Sequence, residues 1–78
     1  MPLVKMRDLL KDAQKNNYAV PAFNVCNLEY LQCVFKAAEE MKAPVIIAIH
    51  PLEYNYAGIE EITSLVEIMA KKSDVPVV

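Results

Sequence analysis

The stretch Tyr18-Ala-Val-Pro-Ala-Phe-Asn-Val-Cys-Asn-Leu-Glu-Tyr-Leu-Gln32 contains the clearest strand-to-helix transition in this sequence. An apolar run from Ala19 to Phe23 meets a polar residue at Asn24, and a helical pattern begins at Asn27. Because proline lacks an N–H and avoids central strands, Pro21 is placed at the beginning of the strand. A buried strand that ends in a side-chain amide and leads directly into a helix is typical of α/β enzymes, which present ligand-binding groups there.

The composition indicates a part of a larger structure. The chain has 78 residues, of which 55% are hydrophobic, and Gly58 is its single glycine. A chain of this length is at most one domain, and a core of this size is normally marginal on its own. Complete small α/β domains usually place more glycine in their loops. We therefore expect sequence outside these residues to cover part of the apolar surface.

Charge and hydropathy exclude several classes of partner. The net charge is −2 with a pI near 5.2, and the eight Lys and Arg residues are scattered, so no nucleic-acid partner is expected. No apolar run approaches the roughly 20 residues of a membrane span, so no membrane partner is expected either. The first eight residues lack the cationic start and apolar centre of a secretion signal, which predicts a cytoplasmic location.

The two cysteines, Cys26 and Cys33, fall in a turn and in the following helix, both among apolar neighbours. We expect free, reduced thiols that pack as small hydrophobic side chains, since disulfides are rare in that compartment. A zinc site would need two further ligands, and His50 supplies only one.

Two amphipathic helices flank the first strand. The first is predicted over about Lys5–Asn16, ended by Asn16-Asn17, because asparagine tolerates the left-handed geometry of a helix end. The strand follows at Val20–Val25. Asn27 is the predicted N-cap of the second helix, and Glu29 in its first turn complements the helix dipole. The apolar stripes of the two helices are Met6, Leu9, Leu10, Ala13 and then Leu28, Leu31, Val34, Phe35, Ala38, Met41.

The second half repeats the pattern. Val45–Ile49 has no polar residue, which favours a parallel strand covered on both faces. Leu52–Gly58 is predicted to be a loop in which two tyrosines pack across the strand ends. A third helix is expected over Ile59–Lys72, and Asp74–Val78 begins a third apolar strand. The stripe of the third helix is Ile62, Leu65, Val66, Met69, and the loop tyrosines are Tyr54 and Tyr56.

This order of elements predicts a parallel sheet. The steps from Val20 to Val45 and from Val45 to Val77 are 25 and 32 residues, and each encloses one helix. Helical crossovers of this length join parallel strands with right-handed connections. Each step is close to the roughly 30 residues per unit of an eightfold barrel of about 250 residues.

Two polar positions follow the predicted strand ends. The Asn24 amide there can donate to a phosphate or an oxyanion, or it can simply bond the adjoining turn. His50 can bind a phosphate, shuttle a proton or ligate a metal, or it can cap the strand end locally. Asn27 is interpreted as the helix cap only. A Cys26–His50 nucleophilic dyad is conceivable, but no feature of the sequence orients it.

With these residues in place, the chain resembles the N-terminal part of the class II (zinc-dependent) ketose-bisphosphate aldolases, which include the fructose- and tagatose-bisphosphate enzymes. The similarity covers essentially all 78 residues. It is carried by Met6–Ala13, Tyr18–Val25, Asn27–Gln32, Ala37–Ile47, Tyr56–Gly58 and Val75–Val78. The Ala-Phe-Asn-Val and Ala-Pro-Val-Ile segments, in that order and at that spacing, are the most specific of these.

The resemblance implies an α/β fold that is the N-terminal part of a TIM (β/α)8 barrel, with an initial helix followed by about two and a half βα units. Residues 1–78 are then the N-terminal fragment of a single aldolase domain. Such enzymes reversibly cleave a ketose 1,6-bisphosphate to dihydroxyacetone phosphate and an aldehyde. Their zinc, held by histidines, stabilises the enediolate. We expect a phosphorylated sugar as substrate and a homo-oligomeric enzyme.

In this family the catalytic aspartate and the first zinc-binding histidine follow the third strand, in a motif that would begin after Val78. No catalytic or metal-binding residue of the family is therefore assigned to a position in this chain. The chain alone is expected to be inactive. Asn24 matches the family's substrate-binding asparagine. His50 stands where many members have Ser or Thr near the substrate, and we expect it to contact substrate rather than zinc.

Two other interpretations fit the same pattern of elements. One is a small non-catalytic α/β binding or regulatory module that is complete at residue 78. The other is a doubly wound sheet from a different enzyme class, which agrees with the periodicity but not with the motifs. The sequence does not separate fructose from tagatose bisphosphate as substrate.

Overall fold

Helices and short strands alternate along residues 3–78, the part of the chain that the computed structural model describes. Residues 1 and 2 of the predicted domain lie outside the described residues. The elements are α1 Met6–Asn16, β1 Ala22–Asn24, α2 Leu28–Met41, β2 Ile46–Ala48, a 3₁₀ turn Pro51–Glu53, α3 Tyr54–Ala57 and α4 Ile59–Lys72. The predicted alternation of helices and strands is confirmed, and the bounds of α4 match the prediction.

The sheet is parallel, as predicted. β1 pairs with β2 in the register Ala22↔Ile46 to Asn24↔Ala48. The final segment adds to the other side of β2 through a parallel bridge between Val45 and Val77. Around this bridge the Val78 N–H donates to the Val45 carbonyl at 3.1 Å. The predicted third strand is therefore present as a single bridge, and β2 lies in the middle.

One face of the sheet packs against the helices and the other does not. Val45, Ile47 and Ile49 belong to the core or pack against it, whereas Ile46 and Ala48, which alternate with them, do not. Successive residues of a strand point to opposite faces. The expectation that Val45–Ile49 would be covered on both faces is wrong for residues 3–78, because Ile46 and Ala48, on the second face, are not among the residues that pack against the core.

Helix α1 ends as predicted. Asn17 adopts the left-handed conformation with φ of 58°, and its N–H donates to the Ala13 carbonyl. Leu9 and Ala13 are buried, whereas Met6 and Leu10 of the predicted stripe are about half exposed. The buried stripe of α1 is therefore narrower than its apolar pattern indicated.

Helix α2 is capped as predicted and buries Leu31, Phe35 and Ala38. Its C-terminal end is formed by Lys42 in the left-handed conformation, with φ of 51°. Met41 is 77% exposed, so its predicted burial is wrong. It lines a groove together with Phe23 of β1 and with residues 43–45, which lead into β2. Leu28, which also belongs to the predicted buried stripe, is 37% exposed.

Helix α4 buries Ile62, Val66 and Ala70. Leu65 and Met69 from the predicted stripe are partly buried and pack against the core, and Ala70 extends that stripe by one residue. None of the described helices has the length and apolar composition of a membrane span.

The predicted loop after β2 is mostly helical, which corrects the sequence-based assignment. Pro51 opens the 3₁₀ turn, where its fixed φ and missing N–H carry no penalty. α3 follows at once and ends at Ala57, and the next residue, Gly58, has φ of 82°. Tyr54 and Tyr56 are 44% and 69% exposed, so the expectation that they pack across the strand ends is wrong.

Both cysteines are free thiols, as predicted. Cys26 is half-buried beside β1. Cys33 is exposed, because it lies about 200° around α2 from Leu31 and so faces away from the core. The expectation of a small hydrophobic side chain among apolar neighbours is therefore wrong for Cys33.

Candidate functional site

An open groove lies where β1 and β2 end. β1 ends at Asn24, which pairs with Ala48, the last residue of β2. His50 comes two residues after Ala48, so it lies just beyond the same end of the sheet. The carboxyl ends of parallel strands are where α/β folds bind ligands. The groove has a volume of about 370 Å³ and is lined by Asn24, Val25, Cys26, Tyr30, His50, Leu52 and Glu53. The two predicted substrate-binding residues, Asn24 and His50, therefore line one groove.

The Asn24 side chain is exposed at the end of β1. Its amide has no hydrogen-bond partner among the side chains and backbone of residues 3–78, so the alternative in which it bonds the adjoining turn is not what the structure shows. The neighbouring Asn27 behaves differently, since its Oδ1 accepts a hydrogen bond from the Tyr30 N–H at 2.9 Å. Asn27 is the helix cap, and Asn24 is the amide available to a ligand.

His50 has a local partner. Its Nδ1 accepts a hydrogen bond from the Leu52 N–H at 3.2 Å and so caps the 3₁₀ turn. The local capping interpretation of His50 is therefore correct. It does not exclude a second role, because Nδ1 as an acceptor leaves the proton on Nε2, at the far edge of the ring. That Nε2–H has no partner among the described residues.

Two polar residues of the groove were not among the predicted substrate-binding residues. Tyr30 lies in the first turn of α2 and Glu53 at the end of the 3₁₀ turn. Both positions follow from topology, because the first turn of a helix that comes after a parallel strand lies at the ligand-binding edge of the sheet. The sequence signal for Glu53 was weaker, since the turn that positions it was predicted to be an irregular loop.

Cys26 lines the same groove as His50. No hydrogen bond joins the thiol to the imidazole among the described residues, and the His50 Nδ1 is already occupied by Leu52. The structure therefore brings the two residues to one groove without the base-to-nucleophile contact that a catalytic dyad requires.

The groove carries a negative side chain and no positive one among its described residues. Glu53 is the charged lining residue, and it is half-buried. Asn24, Tyr30 and His50 are the other polar residues that line the groove. This set of groups provides neutral hydrogen-bond donors together with one carboxylate acceptor.

The residues present do not fit a zinc ion. Across residues 3–78, no three side chains of His, Cys, Asp or Glu come together as a metal-binding group. Protein-bound zinc takes three or four such ligands. The groove carries hydrogen-bonding groups on Asn24, His50, Tyr30 and Glu53.

Comparison with known families gives a match over nearly the whole chain. Residues 4–78 match the family model described as fructose-bisphosphate aldolase class-II. The mixed α/β fold, with helices alternating with parallel strands, agrees with the N-terminal part of the TIM barrel of that family. This match confirms the resemblance found in the sequence motifs and favours the barrel over a doubly wound sheet.

Proposed function

Because the chain belongs to the class II fructose-bisphosphate aldolase family, we propose that its residues form the opening βα units of an aldolase barrel. The barrel cleaves a ketose 1,6-bisphosphate, with fructose or tagatose as the sugar, into dihydroxyacetone phosphate and an aldehyde. The observation that supports this best is the family match across residues 4–78. We also propose a homo-oligomeric enzyme.

Within that enzyme, Asn24 and His50 contact the sugar phosphate. Asn24 presents an unpartnered amide at the end of β1, and His50 presents an Nε2–H beyond the end of β2. The Val25 N–H donates to the Ala48 carbonyl at 3.0 Å and joins the two strand ends, so the backbone segments that carry the two donors are held next to each other. Donors whose backbone is held in this way need less rearrangement to bind a substrate oxygen.

The metal belongs to residues outside this groove. Class II aldolases depend on zinc in general, whereas residues 3–78 contain no group of three ligands. The part of the reaction that this chain supplies is substrate binding and orientation. The 78-residue chain alone is therefore proposed to be inactive.

Cleavage of fructose 1,6-bisphosphate and tagatose 1,6-bisphosphate, followed as triose phosphate formation, tests the proposal. The chain joined to the remaining units of the barrel is expected to cleave at least one of them, and a chelator is expected to abolish the activity and zinc to restore it. The 78-residue chain alone is expected to give no product. If the joined protein cleaves neither sugar, the non-catalytic module becomes the better interpretation.

Asn24 gives a residue-level test of the same proposal. In the joined protein, Asn24→Ala is expected to lower kcat/KM roughly tenfold, the effect of losing one well-placed hydrogen bond. Asn55→Ala is the matched control, since Asn55 is exposed on α3 and does not line the groove. Equal kcat/KM for the two variants would remove Asn24 from the substrate site.

A further inference from the structure

The turn after β2 brings a hydrogen-bond donor and a carboxylate to one groove. The Glu53 N–H donates to the His50 carbonyl at 2.8 Å, which makes the two residues the first and last of one 3₁₀ turn. His50 caps the turn in an extended conformation, with φ of −71° and ψ of 141°, and Glu53 is the last residue of the turn. Both residues line the groove.

Each of the two groups has a fixed hydrogen-bonding character. A backbone N–H can only donate, so the contact between the Leu52 N–H and the His50 Nδ1 requires Nδ1 to be unprotonated and Nε2 to carry the proton. The Glu53 carboxylate, when ionised, can only accept. Neither the His50 Nε2–H nor the Glu53 side chain has a hydrogen-bond or ion-pair partner among residues 3–78.

We propose that the pair formed by His50 and Glu53 binds a hydroxyl group of the substrate and rejects a phosphate, an inference that rests on the proposed aldolase function. A hydroxyl both accepts and donates, so it satisfies the Nε2–H and the carboxylate at once. A dianionic phosphate monoester has no proton to donate, and it meets the repulsion of the Glu53 charge. No Lys or Arg lines the described groove to offset that repulsion. The groove therefore takes an uncharged, hydroxyl-bearing part of the sugar, and the phosphates bind elsewhere.

The tautomer of His50 can be read directly, because it is the only histidine in the chain. In the full chain labelled with ¹⁵N, long-range proton–nitrogen correlation spectra report which ring nitrogen carries the proton. The expected result is the Nε2–H form. A protonated Nδ1, or a ring that averages between the two neutral tautomers, overturns the proposal.

Two probes distinguish a hydroxyl site from a phosphate site. Dihydroxyacetone, which carries hydroxyl groups and no charge, is expected to shift the His50 ring resonances, while inorganic phosphate at the same concentration is not.

Glu53→Gln is expected to weaken dihydroxyacetone binding by a factor of roughly two to ten, since a charged acceptor becomes a neutral one. The same variant is expected to strengthen the response to phosphate. Glu67→Gln, on the exposed face of α4, is the charge-matched control and is expected to change neither response.

Two replacements of His50 separate the donor from the local cap. His50→Asn keeps an acceptor for the Leu52 N–H but loses the distal donor, whereas His50→Gln keeps a distal amide donor. If the Nε2–H binds the hydroxyl, dihydroxyacetone binding, read from the Leu52 amide, is lost in the Asn variant and retained in the Gln variant. Equal binding by both variants overturns the proposal.

The remaining outcomes also decide the proposal. A larger response to phosphate than to dihydroxyacetone, or no response to either probe, overturns it. These binding measurements do not require turnover, so they can contradict the hydroxyl-site proposal without contradicting the proposed aldolase function. A joined protein that cleaves ketose bisphosphates while its His50 responds to phosphate would keep the aldolase function and remove the hydroxyl site.

Discussion

Two side-chain hydrogen bonds to the Asp12 carboxylate stabilise the connection between α1 and β1. The Tyr18 hydroxyl donates to the Asp12 Oδ2, and the Asn16 Nδ2 donates to the Asp12 Oδ1 at 3.0 Å. One carboxylate therefore holds both the last residue of α1 and the first residue after its left-handed cap at Asn17. Tyr18 and Asp12 are six residues apart, on either side of a helix end, and helical periodicity relates only positions three or four apart.

The hydrogen bond from Tyr18 to Asp12 predicts that the folded protein loses stability in alkaline solution. The hydrogen bond to Asp12 raises the pKa of Tyr18 above its ordinary value near 10, with smaller contributions from desolvation and from the Asp12 charge. Because the folded pKa is raised, the stabilisation is fully present below about pH 10 and is lost as pH rises through the folded pKa. The difference in absorbance titration between the wild type and Tyr18→Phe isolates this group. In Asp12→Asn, the pKa of Tyr18 is expected to return toward its ordinary value. An unchanged titration in that variant would contradict the assignment.

The roles of single residues were predictable where local backbone chemistry determines them. Asn17 and Asn27 have side chains suited to a left-handed helix end and to an N-cap, and both do what the sequence predicts. Lys42 forms the end of α2 in a left-handed conformation that its side chain does not favour, so the pattern gave no signal for it. The exposure of Met41 depends on what lies beside β1, which periodicity within α2 does not report.

At the scale of the element, α2 begins with a side-chain cap, whereas α4 begins after a glycine with a positive φ. Gly58 has φ of 82°, and a Cβ placed there would lie 2.1 Å from the Glu61 Oε2. The side chain of Glu61 can move, but the positive φ disfavours any other residue. The single glycine therefore sits where the turn from α3 into α4 requires one. The sequence pattern predicted a loop before this glycine and a helix after it, whereas the structure has a helix on each side of it.

The cap at Asn27 predicts a measurable contribution to α2. Asn27→Ala removes the acceptor for the Tyr30 N–H and is expected to lower the free energy of unfolding by about 1 kcal/mol. Asn27→Asp keeps the acceptor at the positive end of the helix and is expected to retain stability. Asn55→Ala, at an exposed position that caps no helix, is the matched control. Denaturant unfolding followed by circular dichroism gives the comparison. A loss in Asn55→Ala equal to that in Asn27→Ala would show that the cap contributes nothing.

For the whole molecule, the sheet is the feature that sequence and structure describe differently. The aliphatic run at Val45–Ile49 is the pattern of a strand buried on two faces, yet the described helices cover only the face that carries Val45, Ile47 and Ile49. The parallel order and the placement of Asn24 and His50 at one edge were predictable, because they follow from the βα repeat alone. The hydrogen bond from the Leu52 N–H to the His50 Nδ1 was not predictable, because it depends on a turn whose geometry only the structure provides.

The two ends of the described chain are joined by one backbone hydrogen bond, and this contact gives the last prediction. The Val4 N–H donates to the Val77 carbonyl at 2.9 Å, while the neighbouring carbonyl of Pro76 accepts from Val45 on the opposite side. The segment before α1 thus covers the outer edge of the bridge that places Val77 in the sheet. Val4→Pro removes this donor and is expected to lower the free energy of unfolding by about 1 kcal/mol, the net value of one such bond.

Amide hydrogen exchange shows whether that loss is local to the bridge. In Val4→Pro, the amides of Val45 and Val78 are expected to exchange faster than in the wild type, because both donate across the bridge that Val77 forms. The amide of Ile46, which donates to Pro21 on the β1 side, is expected to change little. Val4→Ala keeps the N–H and separates the effect of the bond from that of the side chain. If Val4→Pro and Val4→Ala gave the same exchange rates at Val45 and Val78, the segment before α1 would not stabilise the third strand position.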